Sequence, residues 1–480
     1  MRWKKTLAVL FGAVAIFLFW AYFHVSQKFG DVTCGQLVWN LFYCDLTGIG
    51  EEVRSDILFY LRIILLDVAI WIVAVLIVVP FLWRKLCPAR HPEGAARCCL
   101  WLALAAVVAM CVCWDMRYGI HSYLVQNLWN TEGEQEDFIA AHYRVPAPEA
   151  VRFNSKRNLV VILAESMERS FADSHLERSY TPHLEQLLDR AAHNSHMLNL
   201  PGTNWTIAAL TAWNFGLPLR PQFGLDGNNY NSRYGFLPHA TGIFDILAAN
   251  GYALSAVIGS DARFAGQNVL LSGHGNFHVY DMHSFRELEK KGERDLVKRD
   301  WGYGDKSVLE KGWSEYERLR AAGKPFVLLV ETLDTHFGGL CPQALQGNGD
   351  IRDCIESTDR YLGEFIRKFQ HAGDGDTVLA VLGDHLHMGD DPFLEPVPLR
   401  TIYNAFYGPC PAMPEHKKNM PASALDIAPT LLHCAGAQWG DARFGLGVSL
   451  FDDAPTLLEE LGTELGVGLE KKSRLYETFY

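Results

Sequence analysis

The amino-acid sequence predicts N-terminal transmembrane helices followed by an α/β domain with a mostly parallel central sheet. Long uncharged apolar segments are confined to the first quarter of the 480 residues. Beyond residue 158, short apolar runs alternate with helical patterns, which is typical of a parallel α/β sheet. Four of these runs end directly in carboxylate or histidine side chains. Because ligands bind at the carboxyl ends of such strands, this pattern indicates a functional site there.

Composition and charge exclude several classes of protein. The chain has 43 Lys+Arg against 55 Asp+Glu, a net charge of -12. A general nucleic-acid binder needs basic surface to meet phosphates, so no nucleic-acid partner is expected. The apolar content of 49% excludes a disordered or collagen-like chain.

Three apolar segments are predicted to cross a membrane: residues 7–25, 63–83 and 98–114. Each approaches the ~20 residues that a bilayer crossing requires. The third is short, and a buried core helix is its alternative interpretation. The first could instead be a cleaved signal peptide, but bulky residues follow it where cleavage needs small ones. An anchor is therefore favoured.

The distribution of basic residues predicts the orientation of these spans. Basic residues precede the first span and fill the loop between the second and third: Arg2, Lys4, Lys5, Arg84, Lys85, Arg90 and Arg97. The positive-inside rule therefore places the N-terminus in the cytoplasm of a multi-pass inner-membrane protein. We expect a membrane anchor over residues 1–116, a linker helix and proline elbow over 117–150, and a periplasmic (extracytoplasmic) catalytic domain over 151–480.

The cysteines agree with this predicted topology. Six of the eleven fall on the expected outer side: Cys34, Cys44, Cys341, Cys354, Cys410 and Cys434. An even number of cysteines in an oxidising compartment suggests disulfides. Pairing between sequence neighbours is the expectation, although six cysteines allow about fifteen connectivities.

The ends of the four apolar runs supply candidate metal ligands. Residues 159–164 lead to Glu165, and residues 377–382 lead to Asp384 and His385. Oxygen and nitrogen ligands of this kind suit one Zn²⁺ or Mn²⁺ ion. A turn acid or a surface imidazole is the alternative for each residue alone, whereas their combination at strand ends favours a metal site. His387 has no further support.

A candidate nucleophile precedes the apolar helical start at residues 207–210. Thr203 and Thr206 both lie near this helix N-terminus, where free N–H groups favour anions. A metal ion on a threonine oxygen would lower the hydroxyl pKa and activate it for attack. An ordinary threonine N-cap is the alternative. Spacing alone does not separate the two threonines.

Taken in order over roughly residues 135–450, these motifs resemble the sulfatase/alkaline-phosphatase superfamily, and within it the phosphoglycerol transferases. That group includes the lipoteichoic acid synthases and the enzyme of osmoregulated periplasmic glucans. The matching segments are Pro146-x-Pro148, residues 158–166, 180–184 and 202–209, Asp334-Thr335-His336, Gly383-Asp384-His385 and residues 425–432.

The resemblance implies a role for individual residues. It implies metal ligation by Glu165, Thr206, Asp384 and His385, and so selects Thr206 over Thr203. It further implies that His336 assists catalysis and contacts substrate. Substrate contacts are also implied for Trp205, in the well-matched Gly-Thr-x-Trp-Thr segment, and for Asp261 and Phe264, in a loop whose match is looser. Ala265 to Gln267 stand where lipoteichoic acid synthases have a tryptophan and an arginine.

The implied function is transfer of phosphoglycerol from phosphatidylglycerol to an envelope glycan through a covalent threonine intermediate. A phosphoethanolamine transferase acting on lipid A or glycan, a phosphodiesterase of the same fold and a catalytically silent envelope scaffold are the alternatives. Sulfatase chemistry is not expected, because the modified-cysteine motif has only a partial counterpart, Cys87-Pro88-Ala89-Arg90, on the predicted cytoplasmic side.

Overall fold

A computed structural model describes residues 2–30, 32–42, 51–87, 93–125, 137–220, 235–293, 295–299, 301–341, 350–389 and 391–480. The chain forms two compact units. The first comprises Met1–Cys34 and Glu51–Val125, and the second comprises Gly35–Gly50 and Gln126–Tyr480. The boundaries of anchor, linker and catalytic domain given above stay predictions.

The first unit is built from apolar helices. Its helices are Arg2–Phe29, Glu51–Val73, Val79–Leu86, Glu93–Tyr118 and Ile120–Leu124, with a π-helical turn at Ala74–Val78. Among the described residues, three stretches are long and apolar enough to span a membrane: Trp3–Gln27, Leu58–Leu86 and Glu93–Tyr118, with mean hydropathies of 2.2, 2.9 and 2.2. Most of their side chains face outward, as in helices that contact lipid. The prediction of three N-terminal transmembrane helices is confirmed.

Polar groups inside this unit are paired between helices. The indole Nε1 of Trp20 donates to Asp67 Oδ2 at 2.8 Å, so the one acid of the second predicted span has a partner. Trp71 Nε1 donates to the carbonyl of Ala8 at 3.0 Å. Interhelical hydrogen bonds of this kind hold apolar helices together where water cannot satisfy polar groups.

The second unit contains a six-stranded sheet. Its strands are β1 (Asn158–Ala164), β2 (Ala253–Ile258), β3 (His278–Tyr280), β4 (Phe326–Glu331), β5 (Thr377–Gly383) and β6 (Asn404–Tyr407). They lie in the order β6-β5-β1-β4-β2-β3. All pairs are parallel except β6 with β5. The predicted mostly parallel central sheet is therefore confirmed.

Further helices and short strands make up the rest of the described chain. The helices are Cys34–Phe42, Phe138–His142, Pro182–Leu188, Thr206–Phe215, Ile243–Ala249, Gln267–Gly273, Met282–Lys290, Asp305–Ala321, Ile351–Ala372, Ile427–Cys434, Leu457–Leu461, Thr463–Glu470 and Arg474–Glu477. Two-residue strands pair as Arg152–Phe153 with Ala437–Gln438, Met197–Leu198 with Ala422–Ser423, Lys298–Arg299 with Gly302–Tyr303, and Arg443–Phe444 with Gly447–Val448.

The sequence explains why the central strands lie inside. Strands β4 and β5 are buried along their whole length, and β1 is buried after its first residue. Such continuous runs of branched apolar residues are typical of strands covered on both faces. The helix Ile351–Ala372 begins at a capping box of Asp350 and Asp353, ends at Gly373 with a φ of +58°, and buries one apolar face.

Within the part of the chain that the structure describes, one disulfide is present, between Cys341 and Cys354. This is one of the expected neighbour pairs. Cys410 and Cys434 are thiols whose side chains hydrogen-bond, so the expected disulfide between them is not formed in this structure. Cys34 is a buried thiol, and Cys44 lies outside the described residues.

Candidate active site

Glu165, Asp384 and His385 meet at the carboxyl edge of the sheet. Strands β1 and β5 are parallel neighbours, and their last residues, Ala164 and Gly383, are paired. The side chains that follow therefore emerge next to each other, and all three are buried. One ligand atom from each of the three residues lies within 4.8 Å of the other two.

The chemistry of this group fits a divalent metal ion. His385 Nε2 lies 3.2 Å from Asp384 Oδ2 and 3.5 Å from Glu165 Oε1. Asp384 Oδ2 and His385 Nε2 are both buried and accept or donate no hydrogen bond within the described structure. Buried polar atoms are costly without a partner, so their convergence on one point is what a cation would satisfy. Two carboxylates and an imidazole are suitable ligands for Zn²⁺ or Mn²⁺.

The pKa shifts of Glu165, Asp384 and His385 also favour a bound cation. Burial and the nearby charge of Glu165 raise the pKa of Asp384 to about 7. Burial opposes the charged form of His385, but Asp384 and Glu165 outweigh it and raise its pKa. Burial likewise opposes ionisation of Glu165, yet His385 and His336 hold its pKa below the usual value. A bound cation would replace the proton that these groups otherwise share.

The turn after β1 orients the two carboxylates. Ser166 has a φ of +50°, which is unusual for a residue with a side chain. In this conformation its backbone N–H donates to Asp384 Oδ1 at 2.8 Å, and its hydroxyl donates to Glu165 Oε1 at 2.8 Å. Backbone strain at a site of this kind persists only where the surrounding contacts hold it.

The structure distinguishes the two candidate threonines. Thr206 is the first residue of the helix Thr206–Phe215, and its hydroxyl donates to Glu165 Oε2 at 3.2 Å. The Thr203 hydroxyl is buried and donates to the carbonyl of Leu200 at 3.0 Å. Thr203 therefore stabilises a turn. Thr206 contacts the Glu165 carboxylate and lies at the positive N-terminal end of its own helix.

His336 lies on the segment that follows β4 and interacts electrostatically with Glu165. The Thr335 hydroxyl donates to the carbonyl of Glu165 at 2.5 Å, which ties this segment to the turn after β1. Burial lowers the pKa of His336, although the charge of Glu165 partly offsets it. The neutral imidazole can accept a proton.

Buried hydrogen bonds of Asp334 hold this segment in place. Its carboxylate accepts two hydrogen bonds from Arg299, at 2.8 and 2.7 Å, and both side chains are buried. Asp305 Oδ1 accepts from the N–H groups of Leu333 and Asp334 at 2.6 and 3.0 Å. Sequence reasoning missed Arg299 and Asp305, since neither belongs to a motif.

The remaining predicted substrate residues lie at different depths. Asp261 is buried and paired with Arg263 at 2.6 Å and with His283 at 3.1 Å. It forms a second acidic group with Asp281 and His283, separate from the group at Glu165. Phe264 is half-buried, with its ring 5.4 Å from that of Trp301. Trp205 is buried, and its Nε1 has no hydrogen-bond partner within the described structure.

Glu331 and Gln267 form a further buried pair near the metal ligands, which the sequence did not indicate. Gln267 Nε2 donates to the two carboxyl oxygens of Glu331 at 3.1 and 3.2 Å. Burial raises the pKa of Glu331 to about 8, and the charges of Glu165 and Asp384 add to this. The carboxyl group is therefore neutral at pH 7.

A family model described as Sulfatase matches residues 157–437, more than half of the chain. The chain belongs to the sulfatase family. It is 32% identical over 263 residues to phosphoglycerol transferase I of Xanthomonas euvesicatoria pv. vesicatoria (strain 85-10), covering 53% of this chain and 36% of that protein. It is 31% identical over 322 residues to phosphoglycerol transferase I of Salmonella paratyphi B, covering 65% and 41%.

These matches confirm the resemblance on which the motif assignment was based. The chain spans less than half the length of both curated relatives. A solved structure of an alkaline phosphatase superfamily protein from Vibrio parahaemolyticus superposes with a TM-score of 0.51 at 19% identity. That similarity covers 69% of this chain and 81% of the other, and it shows a common fold.

Proposed function

We propose that this protein is a membrane-anchored, metal-dependent phosphoglycerol transferase with phosphatidylglycerol as its donor lipid and an envelope glycan as its acceptor. The observation that carries the proposal is the Thr206 hydroxyl, which lies 3.2 Å from Glu165 Oε2 at a helix N-terminus beside the buried acid–histidine group. The sequence similarity to two proteins named phosphoglycerol transferase I supports the choice of transferred group.

The proposed reaction has two displacement steps at phosphorus. In the first, Thr206 Oγ1 forms a bond to phosphorus, the bond to the diacylglycerol oxygen breaks, and the threonine proton ends on that oxygen. In the second, an acceptor hydroxyl attacks, and the Thr206 oxygen leaves and regains a proton. Donor, intermediate and product are all phosphodiesters, so the phosphoryl charge is the same at each stage.

Different groups in the site would bind the metal, stabilise phosphoryl charge and transfer the proton. One Mn²⁺ or Zn²⁺ ion held by Glu165, Thr206, Asp384 and His385 would supply Lewis-acid stabilisation of charge on the phosphoryl oxygens. The N-terminal N–H groups of the helix Thr206–Phe215 offer further stabilisation of that charge. The neutral imidazole of His336 carries the proton between the entering and leaving oxygens.

We further propose a periplasmic orientation for this site, with a cytoplasmic N-terminus. Basic residues before the first span and in the loop between the second and third spans favour it. The disulfide between Cys341 and Cys354 also favours an oxidising compartment. A membrane anchor suits an enzyme whose donor is a lipid.

Mass spectrometry of the intermediate tests this function. The full chain is incubated with Mn²⁺ and phosphatidylglycerol vesicles, and we expect a mass increase of one glycerol-phosphate unit on the peptide that contains Thr206. A phosphoethanolamine adduct formed only with phosphatidylethanolamine vesicles would support the alternative transferase. Release of glycerol phosphate to water without glycan transfer would indicate a hydrolase.

A further inference from the structure

A cavity of about 830 Å³ lies in the second unit. Its walls are formed by residues from three stretches of the chain, 169–174, 181–196 and 398–403. Among the described residues that line it, none is a candidate metal ligand or a predicted substrate residue of the active site. Cavities that bind small organic ligands typically measure about 300–1,000 Å³, so this one is large enough for a ligand of its own.

Arg169 brings a half-buried positive charge to the wall of this cavity. Its guanidinium makes no hydrogen bond or ion pair with any described residue, and its Nη1 atom is buried. The backbone beside it is held in place, because the Arg169 N–H donates to the Thr401 carbonyl and the Thr401 N–H donates to Ser170 Oγ, both at 2.9 Å. An arginine that is partly removed from water is normally paired, so an anionic group of a ligand would supply the missing partner.

Two exposed carboxylates, Glu185 and Asp189, line the same cavity. Neither of them has an ion-pair partner in the part of the chain that the structure describes. The charges of Arg169 and Glu185 both reach Tyr403, and the charges of Arg169 and Asp189 both reach His193. The guanidinium and the two carboxylates therefore surround one space from separate walls without neutralising one another.

His193 adds a hydrogen-bond acceptor to the wall. Burial, together with the charge of Arg169, lowers the pKa of His193, so its imidazole is neutral at pH 7. Its Nδ1 lies 3.1 Å from the carbonyl of Ala191. A carbonyl oxygen can only accept, so Nδ1 carries the proton and Nε2 is the acceptor. An ammonium or an amide N–H of a ligand is the group that such a nitrogen binds.

The wall also offers an apolar contact. Pro398 and Leu399 line the cavity, and Leu399 is 50% exposed. A ligand side chain that covered Leu399 would leave water together with it, which is favourable. The third acid of the wall, Asp173, is already engaged by His175, whose Nδ1 lies 2.6 Å from its carboxylate. The cavity therefore combines one unpaired cation, two unpaired carboxylates and an apolar patch.

We propose that this cavity binds a short peptide, with its C-terminal carboxylate on Arg169 and its N-terminal ammonium at Glu185 and Asp189. Capture of a terminal carboxylate is a recurrent mode of peptide recognition. A free amino acid carries the same two charges but fills only a small part of 830 Å³. A phosphate dianion would be repelled by the two carboxylates. The inference is independent of the proposed transferase activity.

Calorimetric titration of the full chain in detergent micelles tests the proposal. The probe is the tripeptide alanyl-leucyl-alanine, together with its C-terminal amide and its N-acetyl form, each of which lacks one of the two charges. Arg169→Gln is compared with the wild type and with Arg360→Gln, the matched control, because Arg360 is exposed and does not line the cavity. Thermal unfolding checks that each variant is folded.

We expect the wild type to bind the tripeptide about tenfold more tightly than its amide, since a hydrogen bond to a charged group is lost in the amide. Arg169→Gln should weaken binding of the tripeptide by a similar factor and should no longer distinguish it from the amide. Arg360→Gln should bind like the wild type. In the double variant Glu185→Gln, Asp189→Asn, the tripeptide and its N-acetyl form should bind equally, whereas the wild type should favour the tripeptide.

Other results would overturn the inference. Equal binding of the tripeptide and its amide to the wild type would exclude a terminal carboxylate as the anchor, and this comparison needs no variant to fold. Absence of tripeptide binding at millimolar concentration would refute a peptide site. Binding of glycerophosphoethanolamine in its place would show that the cavity takes a phospholipid headgroup. An unchanged affinity in a folded Arg169→Gln protein would place the peptide elsewhere on the chain.

Discussion

Replacement of Arg299 by alanine should destabilise the second unit strongly and in a pH-dependent way. Arg299 and Asp334 are 4% and 1% exposed, and their two hydrogen bonds measure 2.8 and 2.7 Å. Removing one partner of a buried pair costs about 3–5 kcal/mol, because the other charge stays buried without compensation. The Asp334 carboxylate that is left would also lie near Asp305. Burial and the charge of Asp334 already raise the pKa of Asp305.

Thermal and chemical unfolding of Arg299→Ala measure this loss. The loss should be smaller at pH 5 than at pH 8, because Asp305, whose pKa burial and Asp334 raise to about 7, is ionised beside the uncompensated carboxylate only at the higher pH. Lys290→Ala is the matched control, since its pair with Glu287 is 71% and 60% exposed and should contribute little to stability. A loss below about 1 kcal/mol in Arg299→Ala, or one independent of pH, would refute the assignment of a buried, structure-determining pair.

Three further predictions concern buried acids and the disulfide. Asp305 has its pKa raised from 3.8 to about 7 by burial and by Asp334, so the wild type loses stability as pH rises through that range. Asp305→Asn should therefore gain stability relative to the wild type from pH 4 to 8, and parallel unfolding curves would contradict this. Glu331→Gln should match wild-type activity at pH 7 and diverge from it above about pH 8, where Glu331 ionises; a large loss at pH 7 would show that the carboxylate is needed. Replacing Cys341 and Cys354 by serine opens a loop of sequence separation 13 and should lower stability by about 3 kcal/mol; an unchanged melting temperature would exclude this contribution.

The candidate metal ligands could be predicted from the sequence because each of them directly follows a strand along the chain. Glu165 follows β1 directly, and Asp384 and His385 follow β5 directly, so the parallel pairing of these strands was enough to bring them together. The short edge strands β3 and β6 were not among the predicted runs. Strands of three and four residues give too little alternation or apolar length to be recognised.

Contacts that depend on tertiary approach could not be predicted. Thr203 and Thr206 differ only in whether the hydroxyl meets a local carbonyl or a carboxylate from another strand, and spacing carries no information on that. Trp301 and Arg299 belong to a hairpin of two-residue strands without periodicity. Their position depends on the close backbone contact between Gly259 and Gly302, which becomes visible only in the folded chain.

Thr206 is the proposed nucleophile of a phosphoglycerol transfer. The most direct measurement is the mass of the Thr206 peptide after the full chain meets phosphatidylglycerol and Mn²⁺, in the wild type, in Thr206→Val and in Thr203→Val as the matched control. We expect a glycerol-phosphate adduct in the wild type and in any folded Thr203→Val protein, and none in Thr206→Val. An adduct that persists in Thr206→Val, or its absence from the wild type, would refute Thr206 as the nucleophile.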